Sequence, residues 1–131
     1  MSSKRLGDFG EKIAKKYLED KGYQILDKNY SFGFISGPQR GEIDIIAQKN
    51  YIISFVEVKT LAKSSGGRSS VIPPEEKVNF KKKRKIIRTA ESWLMEKKIP
   101  LDSKWQIDII SIRVDLNKKL AKIKHFENAV F

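Results

Sequence analysis

Glu42, Asp44, Glu57 and Lys59 stand inside the two most apolar runs of the chain, "GEIDIIAQKN" and "YIISFVEVKT". Side chains alternate faces along a strand, and residues directly opposed in an antiparallel pair share a face. A two-residue turn at Lys49 and Asn50 predicts that Glu42 faces Glu57, Asp44 faces Phe55 and Ile46 faces Ile53. Asp44 and Glu57 then become diagonal neighbours on one face, roughly 7–8 Å apart at the backbone. Lys59, two residues beyond Glu57, points the same way. Carboxylates so placed repel one another unless a proton or a cation sits between them. Oxygen ligands of this kind suit Mg²⁺ or Mn²⁺. The alternative is an amphipathic hairpin whose charged face meets water. Against it, the same face carries Ile46, Ile53 and Phe55 towards the turn, so it changes from polar to core within a few residues.

The elements that must position this hairpin follow from periodicity. Leu6, Phe9, Ile13 and Tyr17 recur at helical spacing after Ser2 and Ser3 as caps, and Gly22 sits where a helix stop belongs. "YQILDKNY" reads as a first strand and "SFGFISGPQR" as a loop, and the hairpin supplies strands two and three. After "LAKSSGGRSSVIPP" helical periodicity runs from Glu75 to about Lys98, until Pro100 stops it. "WQIDIISIRV" is a fourth strand, and "DLNK" turns the chain into a fifth at "KLAKIKHF". The order is αβββαβ plus a terminal strand. A long helix between strands three and four is the crossover that lets them lie parallel, which predicts a mixed sheet covered at least in part on both faces.

The 131 residues at 40% hydrophobic composition suffice for one domain over 1–131 with a real core. No run approaches the roughly 20 apolar residues of a membrane span, and the N-terminus lacks a signal-peptide pattern, so a cytoplasmic protein is expected. Zero cysteines exclude disulfides, thiolate metal sites and cysteine nucleophiles, and a single histidine, His125, cannot by itself build a zinc site. His125, Trp93 and Trp105 read as structural residues. The excess of 27 Lys+Arg over 16 Asp+Glu, a net charge of +11, favours a nucleic-acid partner. On the second helix Lys77, Lys81, Arg84, Lys85 and Arg88 fall within roughly 100° of the circumference, opposite Ile86, Ala90, Trp93 and Leu94. A solvated face normally mixes signs, and this arc holds no acid before Glu91, so a phosphate-contacting stripe is the better reading. Arg68, in the loop before it, could reach a phosphate, or that loop is a plain connector.

Asp44 followed by Glu57-Val58-Lys59 resembles the D…ExK signature of the PD-(D/E)XK nuclease superfamily. The blocks "GDFGEKIAKKYLEDKGYQILDKNY", "RGEIDIIA", "FVEVKT", "VNFKKKRKIIRTAESWL", "WQIDIISI" and "HFENAVF" resemble, in order and over nearly the whole chain, the YraN-like proteins. These are described as predicted endonucleases related to archaeal Holliday junction resolvases. The resemblance implies a restriction-endonuclease-like α/β core and metal-assisted hydrolysis of phosphodiester bonds in DNA ahead of RNA, branched or junction DNA included. Asp44 and Glu57 would be the principal ligands of Mg²⁺ or Mn²⁺, with Glu11 on the first helix and the carbonyl of Val58 as further ones. Lys59 would position water or offset transition-state charge, and Lys82 would point back to the cleft. The superfamily's proline is absent before Asp44, where Glu42-Ile43 stands instead, which leaves Glu42 as an alternative ligand. The chief alternative is a non-catalytic nucleic-acid-binding module on the same fold. A homodimer is a further expectation, with the tail "NAVF" serving as its contact or folding back on the domain.

Overall fold

The computed structural model describes residues 2–31, 41–63, 80–100 and 102–129. Their order is α1 (Ser3–Asp20), β1 (Gln24–Ser31), β2 (Glu42–Lys49), β3 (Ile52–Lys63), α2 (Phe80–Glu96), β4 (Trp105–Asp115) and β5 (Leu120–Phe126). The strands form one five-stranded sheet in the order β1-β2-β3-β4-β5. All neighbours are antiparallel except β3 and β4, which lie parallel because the crossover containing α2 joins them. This α/β arrangement, a mixed sheet with a helix on each face, is consistent with a restriction-endonuclease-like core.

Each helix covers its own core. Ala14 and Leu18 of α1 pack with Ile45, Ala47, Val56, Ile110, Ile112 and Val114 on one face of the sheet. Ile86, Ala90, Trp93 and Leu94 of α2 pack with Ile43, Ile46, Ile53, Phe55, Ile107 and Ile109 on the other. Trp93 is thus a core residue, its ring edge-on to Phe55 at 5.7 Å, and its indole N–H donates to Asp27 Oδ2 at 3.1 Å, tying α2 to β1. Trp105 is half-buried against the same Phe55.

The helix ends obey local rules. Ser2 caps α1 by accepting from Arg5 N–H at 3.2 Å, and Gly22, at φ +94°, takes the left-handed conformation past its end. The described part of α2 stops at Glu96, ahead of the expected proline stop. Lys98 adopts a φ of 57°, and the Ile99 N–H turns back to the Leu94 carbonyl at 2.8 Å. A left-handed C-cap, rather than Pro100, ends this helix.

The hairpin turn differs from the expected one. The central residues are Asn50 and Tyr51, with φ of 51° and 66°, the primed two-residue turn whose twist matches that of the strands. The register therefore pairs Ile46 with Phe55 and Gln48 with Ile53, not Asp44 with Phe55 and Ile46 with Ile53. Glu42 pairs with Ser31 of β1 and does not face Glu57. Displacing a two-residue turn by one place moves partners by two, so no residue changes face through the turn itself.

One close approach sets the position of α1. A methyl group built on Gly10 would overlap the Thr60 side chain of β3, so only glycine lets the helix lie this near the sheet. Gly10→Ala is expected to lower stability by roughly 1–3 kcal/mol, as overpacking at a helix–sheet contact does. Urea unfolding checks this, and a midpoint equal to wild type would mean that the contact relaxes without loss.

Candidate active site

The regular β2–β3 ladder runs from Lys49 and Ile52 to Ile45 and Val56. Beyond it Asp44 turns its side chain across to β3, where Oδ2 accepts the Val58 N–H at 2.7 Å. Ile43 and Ile46 both belong to the α2-side core although they are three residues apart, while Ile45 and Ala47 belong to the α1-side core. Strict alternation would separate Ile43 from Ile46, so it slips around Asp44. On β1 the pairs step from Lys28–Ile45 to Tyr30–Ile43 past Asn29, whose φ is 50°. The slip turns Asp44 away from either core and into a fork between β2 and β3.

Three elements converge on that fork. From β3, Glu57 and Lys59 project on the side opposite Val58, which packs towards the α1-side core. Glu57 Oε1 lies 3.1 Å from Lys59 Nζ, and Glu57 Oε2 is buried. From α1, Glu11 comes close enough to Asp44 for the two carboxyls to act on each other. It follows Gly10, so the same close approach that seats α1 on Thr60 delivers Glu11. The N–H and C=O of one strand residue point the same way, so the Val58 carbonyl faces the fork together with the N–H that Asp44 holds. Glu42, at the exposed start of β2, contributes its negative field to both Glu11 and Asp44.

The electrostatics follow from this crowding. Burial raises the Asp44 carboxyl to about 7; the Val58 hydrogen bond opposes the rise, and the charges of Glu11, Glu57 and Glu42 add to it. Glu11 is also raised, first by burial, with Asp8 and Glu42 adding to the rise and Asp44 and Lys28 opposing it. The fork thus holds more acid than it can ionise unaided.

Of the basic stripe, Arg84 and Arg88 are exposed on α2 and Lys85 is half-buried, its carbonyl accepting from Thr89 Oγ1 at 2.7 Å. Arg68 and Lys77 lie outside the described residues, as do the side chains of Lys81 and Lys82 and the C-terminal Phe131.

Sequence reasoning passed over a second polar cluster. Asp108 is fully buried in the middle of β4, its Oδ2 2.8 Å from His125 Nε2, while Oδ1 accepts the Asn128 N–H and the Gln106 amide at 2.9 Å each. His125 Nδ1 lies 3.3 Å from the Tyr17 hydroxyl, and Tyr23 donates to Glu127 at 3.3 Å. The ligand atoms of Asp108, His125 and Glu127 lie within 4.8 Å of one another. Both Asp108 oxygens already have partners, however, so this cluster reads as a hydrogen-bonded anchor for the last turn. The signal was present in "QIDII", an acid between isoleucines in a buried strand, where a carboxylate persists only if it is bonded.

Residues 10–112 match the model of the uncharacterised protein family UPF0102. The chain belongs to this family. A UPF0102 protein of Alkaliphilus oremlandii is 43% identical over 127 residues, which cover 97% of this chain and 98% of that one. A UPF0102 protein of Clostridium beijerinckii is 39% identical over 97% of this chain and 94% of its own, and one of Fervidobacterium nodosum is 40% identical over 96% and 82%. The UPF0102 match encloses Glu11, Asp44, Glu57, Lys59 and Asp108 and stops before His125. No helix among the described residues is long and apolar enough to cross a membrane.

Proposed function

We propose that this protein is a metal-dependent endonuclease that hydrolyses phosphodiester bonds in DNA, with branched or junction DNA as the substrate class. The observation that carries the reading is the desolvated Asp44, held at the fork by Val58 and surrounded by Glu11, Glu57 and Glu42. A structural carboxylate is normally met by donors or cations, whereas this one is met chiefly by other acids. Such a site gains from a cation.

The donor set fits Mg²⁺ or Mn²⁺: Asp44, Glu57, Glu11 and the Val58 carbonyl offer only hard oxygen atoms. When bound, the ion would polarise a phosphate oxygen and lower the pKa of a water molecule. The remaining work belongs to the chain. The Val58 N–H fixes Asp44 through its Oδ2. Glu57 holds the Lys59 ammonium at 3.1 Å, on the same side of β3, where it can orient the attacking water or meet charge developing on the phosphate. Glu42 lies at the rim as an alternative ligand. The stripe of α2, with Arg84 and Arg88 exposed, supplies sequence-independent phosphate contacts. We place the protein in the cytoplasm, and a homodimer would present two such forks to the two strands of a junction.

The test is a cleavage screen of branched, duplex and single-stranded DNA with Mg²⁺ or Mn²⁺, comparing wild type with Lys59→Ala. Removing one preorganised charge is expected to lower the cleavage rate by roughly 10²–10³. DNA affinity should change little, because Lys59 acts at one phosphate and the basic surface touches several. Binding without cleavage in wild type would favour the non-catalytic module. Loss of affinity together with activity would make Lys59 an anchor instead.

A further inference from the structure

The sheet register carries the face of Lys59 across to the opposite edge. Lys59 pairs with Ser111 of β4, and Ser111 with Lys124 of β5; one step on, Leu61 pairs with Arg113, and Arg113 with Lys122. Paired residues share a face. Ile110, Ile112 and Val114 of β4 and Ile123 of β5 pack in the α1-side core, which puts Arg113, Lys122 and Lys124 on the other side, the side of Glu57 and Lys59. With strands about 4.8 Å apart, Lys124 stands roughly 10 Å from Lys59 at the backbone. A long basic side chain there reaches the phosphates neighbouring one held at Lys59.

Beyond Glu57, this surface carries the cations Arg113, Lys122 and Lys124 against one acid, Asp115. Lys122 and Lys124 are exposed and Arg113 is half-buried. None of the three forms an ion pair among the described residues. Asp115, the acid at the end of the same row, uses Oδ1 to accept the Asn117 and Lys118 N–H groups of the β4–β5 turn at 3.1 Å each. Lysines on an edge strand can serve only to block pairing with another chain. That purpose does not account for Arg113, which belongs to a strand paired on both sides. It also does not require both lysines to share the face of Lys59.

We propose that the β4–β5 face is the track for the nucleic-acid strand leading from the fork, with Arg113, Lys122 and Lys124 as phosphate contacts. The inference rests on the nuclease reading and extends it by giving the substrate backbone a path across the sheet as well as along α2. The occupant is a phosphodiester chain: the track offers long cations and no array of hydrogen-bonding side chains that would read base edges.

The experiment compares two charge-matched triple variants, Arg113→Gln/Lys122→Gln/Lys124→Gln and Lys97→Gln/Lys98→Gln/Lys104→Gln, the latter at exposed positions remote from the track. Binding of fluorescent single-stranded and branched DNA is measured by anisotropy over a salt series without divalent ions, and cleavage is measured separately with Mn²⁺. The track variant should bind more weakly by about 10- to 100-fold, and its plot of log affinity against log salt should flatten by roughly 2–3 units, one contact per residue. The control should stay within about threefold of wild type. Circular dichroism confirms that both variants fold. Equal losses in the two variants would reduce the track to general charge and overturn it. A track variant that binds and cleaves as wild type does would overturn the track and leave the nuclease intact. A wild type that binds but never cleaves, with the track variant still weakened, would sink the nuclease reading and keep the binding face. No binding by wild type would remove both.

Discussion

Asp44→Asn is expected to abolish metal-dependent cleavage and, at the same time, to make the metal-free protein more stable at pH 8. The two effects have one cause. The Asp44 carboxyl is raised to about 7, first by burial and then by the charges of Glu11, Glu57 and Glu42. A group whose pKa is raised in the folded state contributes stability that is fully present below its unfolded value, near 4, and is lost as pH rises through its folded value. Above pH 7 the folded protein must therefore carry an ionised acid where it would prefer a neutral one, and every tenfold weakening of the acid corresponds to about 1.4 kcal/mol. Asparagine keeps an oxygen for the Val58 N–H and never ionises. With water entering the fork to recover part of the strain, a gain of roughly 1–2 kcal/mol is expected at pH 8, vanishing near pH 4. The same linkage governs the ion. A carboxylate ligates only when deprotonated, so if Asp44 holds the proposed ion, Mn²⁺ affinity should rise with pH through 7 and binding should release protons, visible as buffer-dependent heat in calorimetry. Wild type should regain with Mn²⁺ the stability that the Asp44→Asn variant shows without it. Equal stability of the two metal-free proteins at pH 8 would mean that the acid is not confined by its neighbours.

Why Asp44 was legible in sequence and its surroundings were not follows from the kinds of signal involved. An acid interrupting an apolar strand, repeated as Glu57 and Lys59 on the next strand, shows in the order of residues alone. The helices and all five strands were legible for the same reason, since period and punctuation are local. The turn was misplaced by one residue because Tyr51 is a good strand former and seldom adopts positive φ, whereas the hairpin here forces it to. The slip around Asp44 could not be read, because it is visible only when Ile43 and Ile46 are found in the same core. Strict alternation put Asp44 and Glu57 on one face, and the structure brings Asp44 into the gap between strands, with Glu11 approaching from the α1 side. The role of Gly10 was equally hidden, since its reason is Thr60, far along the chain. The basic rows of β4 and β5 needed the pairing register, which no local pattern supplies.

Asp108→Ala should cost the most stability, about 3–5 kcal/mol, because it leaves several buried polar groups without the acceptor they share. Asp108 is fully buried and gathers three groups: the His125 ring, the Gln106 amide and the Asn128 N–H. Alanine would leave all three without their acceptor inside the protein. Two of them hold the C-terminal end of the sheet, where the Ala129 N–H also returns to the Ile107 carbonyl at 2.9 Å. β5 is an edge strand paired only with β4, so loss of this anchor should loosen it before the rest of the sheet. Hydrogen exchange should accordingly accelerate first across Leu120–Phe126, the strand bearing Lys122 and Lys124, and only later in β2 and β3. Glu127→Gln should be nearly neutral, because Glu127 is exposed and its bond to Tyr23 survives as an amide contact. This pair of variants also tests the anchor against an ion site built from Asp108, His125 and Glu127. A hydrogen-bonded anchor needs Asp108 and His125 but not Glu127. A rise in melting temperature with Zn²⁺ or Mn²⁺ that survives Asp44→Asn but is lost in Glu127→Gln would show that the cluster takes a cation and that its bonds are only the metal-free arrangement.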